Sequence, residues 1–126
     1  NNAPAASIIL DGIHVDYQMV TLAKQAMGKR LFFITDAVTD CHIGPYQHVL
    51  NGNHYTLPDG TLSGSALTMQ QAVINAVQHC GIAKDEALRM ASLYPARVIG
   101  MENQFGRIAP GHPAPVLIPV LLFNRQ

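Results

Sequence analysis

Leu31-Phe32-Phe33-Ile34-Thr35 runs without interruption into a carboxylate at Asp36. A stretch that is apolar at successive positions suits a strand covered on both faces, the setting of a central strand in a parallel sheet. A second short apolar run, residues 7–10, stops at Asp11-Gly12. Between the two runs, Asp16 is placed to cap a helix, Val20, Ala23 and Met27 fall on one helical face, and Gly28 supplies a stop. Lys24, Lys29 and Arg30 lie at or just past the end of that helix, where positive charge complements the helix dipole. Strand, helix, strand is a βαβ unit, which commits the chain to an α/β fold.

After Asp36 the alternation pauses. Residues 47–50 and 54–57 read as two short strands around Asn51-Gly52-Asn53, and Pro58-Asp59-Gly60 makes a turn. Thr61-Leu62-Ser63-Gly64-Ser65 reads as a loop leading into a helix. Thr68 and Gln71 form a capping-box pattern, and Met69, Ala72, Val73, Ala76, Val77 and Cys80 make the clearest amphipathic stripe in the chain. A further helix is expected over residues 84–93, with Asp85 and Glu86 in its first turn and Pro95 as its limit. A short helical turn over residues 96–99 would be closed by Gly100, and Pro110-Gly111 is a turn. Residues 116–123 are apolar but broken by Pro119, so they read as an edge strand or as a segment whose sheet partner is missing.

Bulk properties narrow the function classes. Charged residues make up 13% of the chain and hydrophobic ones 48%. A typical soluble domain carries about 25% charged residues. The low value fits a piece of a larger core, or a surface covered by a partner, and not a disordered segment. Eight basic residues balance eight acidic ones, so there is no basic excess to mark a nucleic-acid footprint. No apolar run approaches the ~20 residues a membrane span needs. Residues 1–6 lack the pattern of a signal peptide, and the first residue is not Met. Cys41 and Cys80 form neither a CxxC pair nor a disulfide framework, which fits free thiols and a cytoplasmic location.

In parallel α/β folds, reactive groups gather where strands end. One such end carries Asp11, Gly12, His14 and Asp16, and the other carries Asp36. If the two strands are neighbours, His14 and Asp36 open onto the same face. Asp36 either moves a proton for a water nucleophile or caps the following turn. His14 either bonds a substrate hydroxyl or phosphate, or is a satisfied histidine under a loop. Ser63-Gly64-Ser65 lies close to a helix start, a place that favours anions, though capping alone also accounts for the serines. His48 and His54 are placed to face each other across the hairpin, and His79 sits in the last turn of its helix. There is no H-x-H or H-E-x-x-H, and no set of three protein ligands for zinc stands out.

Taken together, these segments resemble one family. Asp11-Gly12-Ile13-His14-Val15-Asp16 resembles the D-G-x-H-V-D signature of N-acetylglucosamine-6-phosphate deacetylases. Thr35-Asp36-Ala37 resembles the T-D-A ending a late barrel strand of that family, and the stretch from Thr61 to Met69 resembles its loop before the last barrel helix. Tyr94-Pro95-Ala96-Arg97 with Gly100, and Gly106-Arg107-Ile108-Ala109-Pro110-Gly111, are similar to its late helix and its return to a small β-domain. The five motifs occur in the family's order over residues 7–114.

The resemblance implies the C-terminal portion of a (β/α)8 TIM-barrel amidohydrolase. Residues 1–105 would supply the last barrel strands and helices, and 106–126 the start of a small β-sandwich. It implies metal-dependent removal of acetate from N-acetylglucosamine 6-phosphate or its galactosamine epimer. Asp36 would be the catalytic base and acid, and is a possible metal contact. Asp11, Gly12, Ile13 and His14 with Leu62, Ser63 and Gly64 would line the sugar-phosphate pocket. The divalent metal, zinc or iron, would have its main ligands on strands before position 1. A homodimer is expected, and these 126 residues alone would be inactive. The competing reading is a non-catalytic interaction module descended from such an enzyme. The family's usual continuation departs at Ala114, where Pro115-Val116-Leu117 follows.

Overall fold

The computed structural model describes residues 3–113. The expected apolar segment at 116–123 and most of the expected return into a β-domain lie outside the described residues. The chain begins with strand β1 (Ala6–Ile9), helix α1 (Tyr17–Met27), a 3-10 turn over Gly28–Arg30 and strand β2 (Leu31–Ile34). β1 and β2 are parallel neighbours in the register Ala6 with Leu31 through Ile9 with Ile34. The βαβ unit expected from the sequence is therefore present. Asp16 caps α1 as expected, its carboxylate accepting from the Gln18 amide at 2.8 Å.

Coverage of β2 differs from the expectation. Leu31 and Phe33 are buried, Phe32 is half-buried and Ile34 is exposed. The four helices supply the core of one face only. They are α1, α2 (Met69–His79), α3 (Lys84–Ala91) and α4 (Leu93–Val98). Leu10, Val20, Leu31, Phe33, Met90 and Tyr94 are the largest fully enclosed apolar side chains of this core. Each contributes about 1.5–3 kcal/mol through burial.

The excursion between the βαβ unit and α2 is a three-stranded antiparallel sheet of β3 (Val49–Asn51), β4 (His54–Thr56) and β5 (Leu62–Ser65), in that order. The hairpin expected around Asn51-Gly52-Asn53 forms, with Asn51 opposite His54 and Val49 opposite Thr56. Two details correct the sequence reading. His48 does not face His54, because its backbone pairs with Cys41 while His54 lies opposite Asn51 and Ser65. The segment at 61–65 is not a plain loop: β5 pairs with β4 and, at its end, reaches back to Asp36 and Val38. Small polar residues hid this strand, since they lack the β-branched, alternating signature that marks one.

The α2 stripe packs as expected, with Ala72, Val73, Ala76 and Cys80 buried and Met69 and Val77 against them. Thr68 accepts from the Gln71 amide at 3.1 Å, whereas the Gln71 side chain turns away to Asn75. Half of the capping box is thus realised. α3 ends at Ala91 rather than 93, and Pro95 lies inside α4, not beyond a helix. Proline is tolerated there because the first helical turn needs no donation from its nitrogen.

One ionic cluster ties α1, α3 and α4 together. Glu86 accepts from Lys24, from Arg89 Nε at 2.9 Å and from the Tyr94 hydroxyl at 2.8 Å. Burial opposes charge on Glu86, but these donors hold its pKa down at about 2 against an ordinary 4.5.

Candidate active site at the strand ends

Both chemistry-bearing strand ends emerge at one end of the parallel pair. Asp11 follows β1 and folds its carboxylate back over its own loop. Its Oδ1 accepts from the amides of Ile13 and His14, each at 2.9 Å. Its Oδ2 accepts from His14 Nδ1 at 2.6 Å. The turn is tight at Gly12, where φ is +75° and a Cβ would meet the Tyr17 ring at 2.6 Å. Ile13 stays exposed beside it.

His14 also donates from Nε2 to the Ser63 carbonyl, at 2.7 Å. One imidazole thus bridges the β1 loop and β5. Asp11 has its pKa lowered: burial pushes upward, but the His14 bond and the two amides outweigh it. For His14, burial pulls the pKa down, and the Ser63 carbonyl, the Asp11 carboxylate and the nearby Asp36 charge raise it above 6.5 in balance.

Asp36 leaves the end of β2 with its side chain exposed. Among the described residues it is the sole non-glycine with positive φ, at +51°. Aspartate tolerates this left-handed conformation better than most residues, but it holds only where neighbours fix it. Here Ser65 does so, its amide donating to the Asp36 carbonyl at 2.8 Å and its carbonyl accepting from the Val38 amide at 3.0 Å. Gly64 lets β5 come this close, because a Cβ there would lie 2.3 Å from Val38 Cγ1 and 3.0 Å from the Asp36 carbonyl oxygen.

The residues singled out from the sequence are therefore brought together in two linked groups. Asp11, Gly12, Ile13 and His14 meet Ser63, and Asp36 meets Gly64. Leu62 sits at the exposed start of β5. Both nitrogens of His14 are engaged within the chain. Ser63 also places its hydroxyl 3.0 Å from His48 Nδ1. His79 stacks on Tyr17 with ring centroids 4.5 Å apart.

A cleft of about 310 Å³ opens beside this end, between α1, α2 and the tip of the hairpin. Asp11, Tyr17, Gln71 and Asn75 supply its polar wall, with Ala66, Leu67 and the hairpin residue Asn53 completing it. Asn75 went unnoticed in the sequence. It is buried and donates from Nδ2 to the Leu10 carbonyl at 2.9 Å, pinning the end of β1. The available signal was an amide on the flank of an otherwise apolar stripe, three residues after Ala72. Ser65 was passed over too, because a small hydroxyl next to a helix start looks like a cap.

Among the described residues, no three of His, Cys, Asp and Glu gather into a metal site. The donor set present here thus does not by itself fit a bound cation. Asp36 offers one exposed carboxylate.

The pattern of the Amidohydrolase family matches residues 6–120. The chain is 32% identical over 114 residues to the N-acetylglucosamine-6-phosphate deacetylase of Haemophilus influenzae, covering 82% of this chain and 30% of that protein. It is also 32% identical to a putative N-acetylgalactosamine-6-phosphate deacetylase of Escherichia coli K12, over 87% of this chain and 70% of that protein. Among solved structures, the N-acetylglucosamine-6-phosphate deacetylase of Pasteurella multocida superposes with a TM-score of 0.78 at 37% identity, over 86% of this chain and 30% of that one. The chain thus spans about 30% of the length of the Haemophilus relative.

Proposed function

The chain belongs to the amidohydrolase family, and from that premise we propose that it forms part of an enzyme that hydrolyses the acetamide of N-acetylglucosamine 6-phosphate, releasing acetate and glucosamine 6-phosphate. The observation that carries this reading is Asp36, an exposed carboxylate just past a strand end, held in a left-handed backbone conformation. Asp36 accepts a proton from the attacking water as the water oxygen bonds to the acetyl carbonyl carbon. The C–N bond then breaks, and Asp36 returns the proton to the departing nitrogen.

The loop of Asp11, Gly12, Ile13 and His14, with Leu62, Ser63 and Gly64, forms the wall against which the sugar phosphate is oriented. An imidazolium at His14 supplies positive charge on that wall. Members of the family are generally metal-dependent. We assign the divalent cation, zinc or iron, to ligands other than the described residues. The β1–α1–β2 unit takes the place of late strands in a (β/α)8 barrel. A homodimer in the cytoplasm completes the reading.

The galactosamine epimer is the second substrate to consider, because a relative of that name is matched over 70% of its length. The test supplies each N-acetylated sugar phosphate, with zinc or iron(II), to the protein carrying this chain and measures acetate released. Turnover of the glucosamine compound is expected. Turnover of the galactosamine compound alone would reassign the substrate, and release from neither would remove the proposal.

A further inference from the structure

We propose that Ser65 is a positioning residue for Asp36, an inference that rests on the catalytic reading of Asp36. Ser65 is fully buried, and every polar group it owns is committed around the end of β2. Its hydroxyl donates to the Thr35 carbonyl and accepts from the Leu67 amide, the latter at 3.0 Å. Its amide donates to the Asp36 carbonyl at 2.8 Å, and its carbonyl accepts from the Val38 amide at 3.0 Å. The residues before, at and after the turn are thus all held by the side chain and backbone of one residue.

The turn needs such a hold. Aspartate at φ +51° is a conformation that relaxes when its supports are removed. The hydroxyl is the one support that a substitution can delete while leaving the β5 backbone bonds in place. With it gone, the Thr35 carbonyl and the Leu67 amide lose their shared partner. The carboxylate then samples directions other than the productive one. Misplacing a reacting group by about 1 Å can reduce rate roughly 10²-fold. Because Ser65 is buried and touches no substrate, its loss acts on turnover and not on binding.

The experiment measures kcat and KM for the parent protein, Ser65→Ala, Ser65→Thr and Asp36→Asn, each verified as folded by its thermal melt. Ser65→Ala is expected to lower kcat roughly 10²-fold with KM within about twofold of the parent. Ser65→Thr keeps the hydroxyl and is expected to regain most of that loss. A folded Ser65→Ala with parental kcat, or a folded Ser65→Thr as slow as Ser65→Ala, overturns the inference. Should Ser65→Ala not fold, Ser65→Cys decides: a tenfold or greater fall in kcat supports the role, and parental kcat overturns it. Asp36→Asn separates the two layers. If it turns over normally, the catalytic reading falls and takes this inference with it. If it is inactive while Ser65→Ala is normal, the positioning role alone is lost.

Discussion

His14 and Ser63, 49 positions apart in the chain, are joined by a 2.7 Å contact between the imidazole Nε2 and a backbone carbonyl. A carbonyl only accepts, and the ionised Asp11 carboxylate on the other ring nitrogen only accepts as well, so the ring must donate from both sides. The site is thus built around a histidine whose charged form is favoured by its partners.

The pair sets a pH window for stability. The His14 pKa is raised, so its contribution is complete below 6.5 and is lost as pH climbs through the higher folded value. The Asp11 pKa is lowered, so its contribution is complete above 3.8 and is lost as pH falls through the lower folded value. The urea midpoint should decline on the alkaline side of 6.5, and His14→Gln should flatten that decline. A parent protein whose midpoint stays level there would show that the ring is not held charged.

Glu86 gives a second, more acidic signature. Its pKa of about 2 means that its stabilisation is intact above 4.5 and is lost as pH falls from there toward about 2. Glu86→Gln should cost roughly 1–3 kcal/mol at neutral pH, the range for losing hydrogen bonds to a partly buried charged group. The variant should also lose less stability than the parent on acidification. Parallel acid titrations of the two by circular dichroism would expose a Glu86 that is not paired.

Gly64→Ala tests the close approach of β5 to the turn at Asp36. Its new methyl would lie 2.3 and 2.9 Å from the two γ-carbons of Val38. Overpacking of this kind costs about 1–3 kcal/mol. Adding Val38→Ala should recover part of the loss, and a double-mutant cycle should return a clear coupling energy. Strict additivity of the two changes would place the residues apart.

Asn75 is expected to matter through its donor. Asn75→Ala strands the buried Leu10 carbonyl, at a cost of about 1–3 kcal/mol. Asn75→Asp sets an acceptor against that carbonyl and should cost more. Equal chemical-denaturation midpoints for the two variants would remove the bond from the account.

Asp36→Asn should lower kcat by about 10²–10⁴, the usual range for a general acid–base group. Bound metal, measured by elemental analysis, should stay at the parental level. Parental turnover would exclude Asp36 as the proton carrier.

The βαβ unit was legible because its signals are local: two apolar runs, a capping aspartate and a stripe at helical spacing. Asp36 stood out for the same reason, as the first charged residue after an apolar run. What the sequence did not reveal was long-range pairing. β5 is written in serine, glycine and leucine, and its strand character comes from pairing with β4 and, at Ser65, with Asp36 and Val38, which no local pattern encodes. The role of Asn75 depends on a carbonyl 65 positions away. The α3–α4 break at Ser92 was hidden because Pro95 marks a helix limit as readily as a helix start.

The stretch from Ser65 to Asn75 holds the first carbonyl beyond each of the two parallel strands, Thr35 by a hydroxyl and Leu10 by an amide. The end of β5 and helix α2, joined by residues 66–68, therefore act together as a yoke across two exits that the chain reaches 25 residues apart, from Asp11 to Asp36. The separation of the two exits is thus tied to one short stretch of chain, residues 65–75. Any disturbance that slides this stretch would shift both together, preserving their separation while moving the pair relative to everything else.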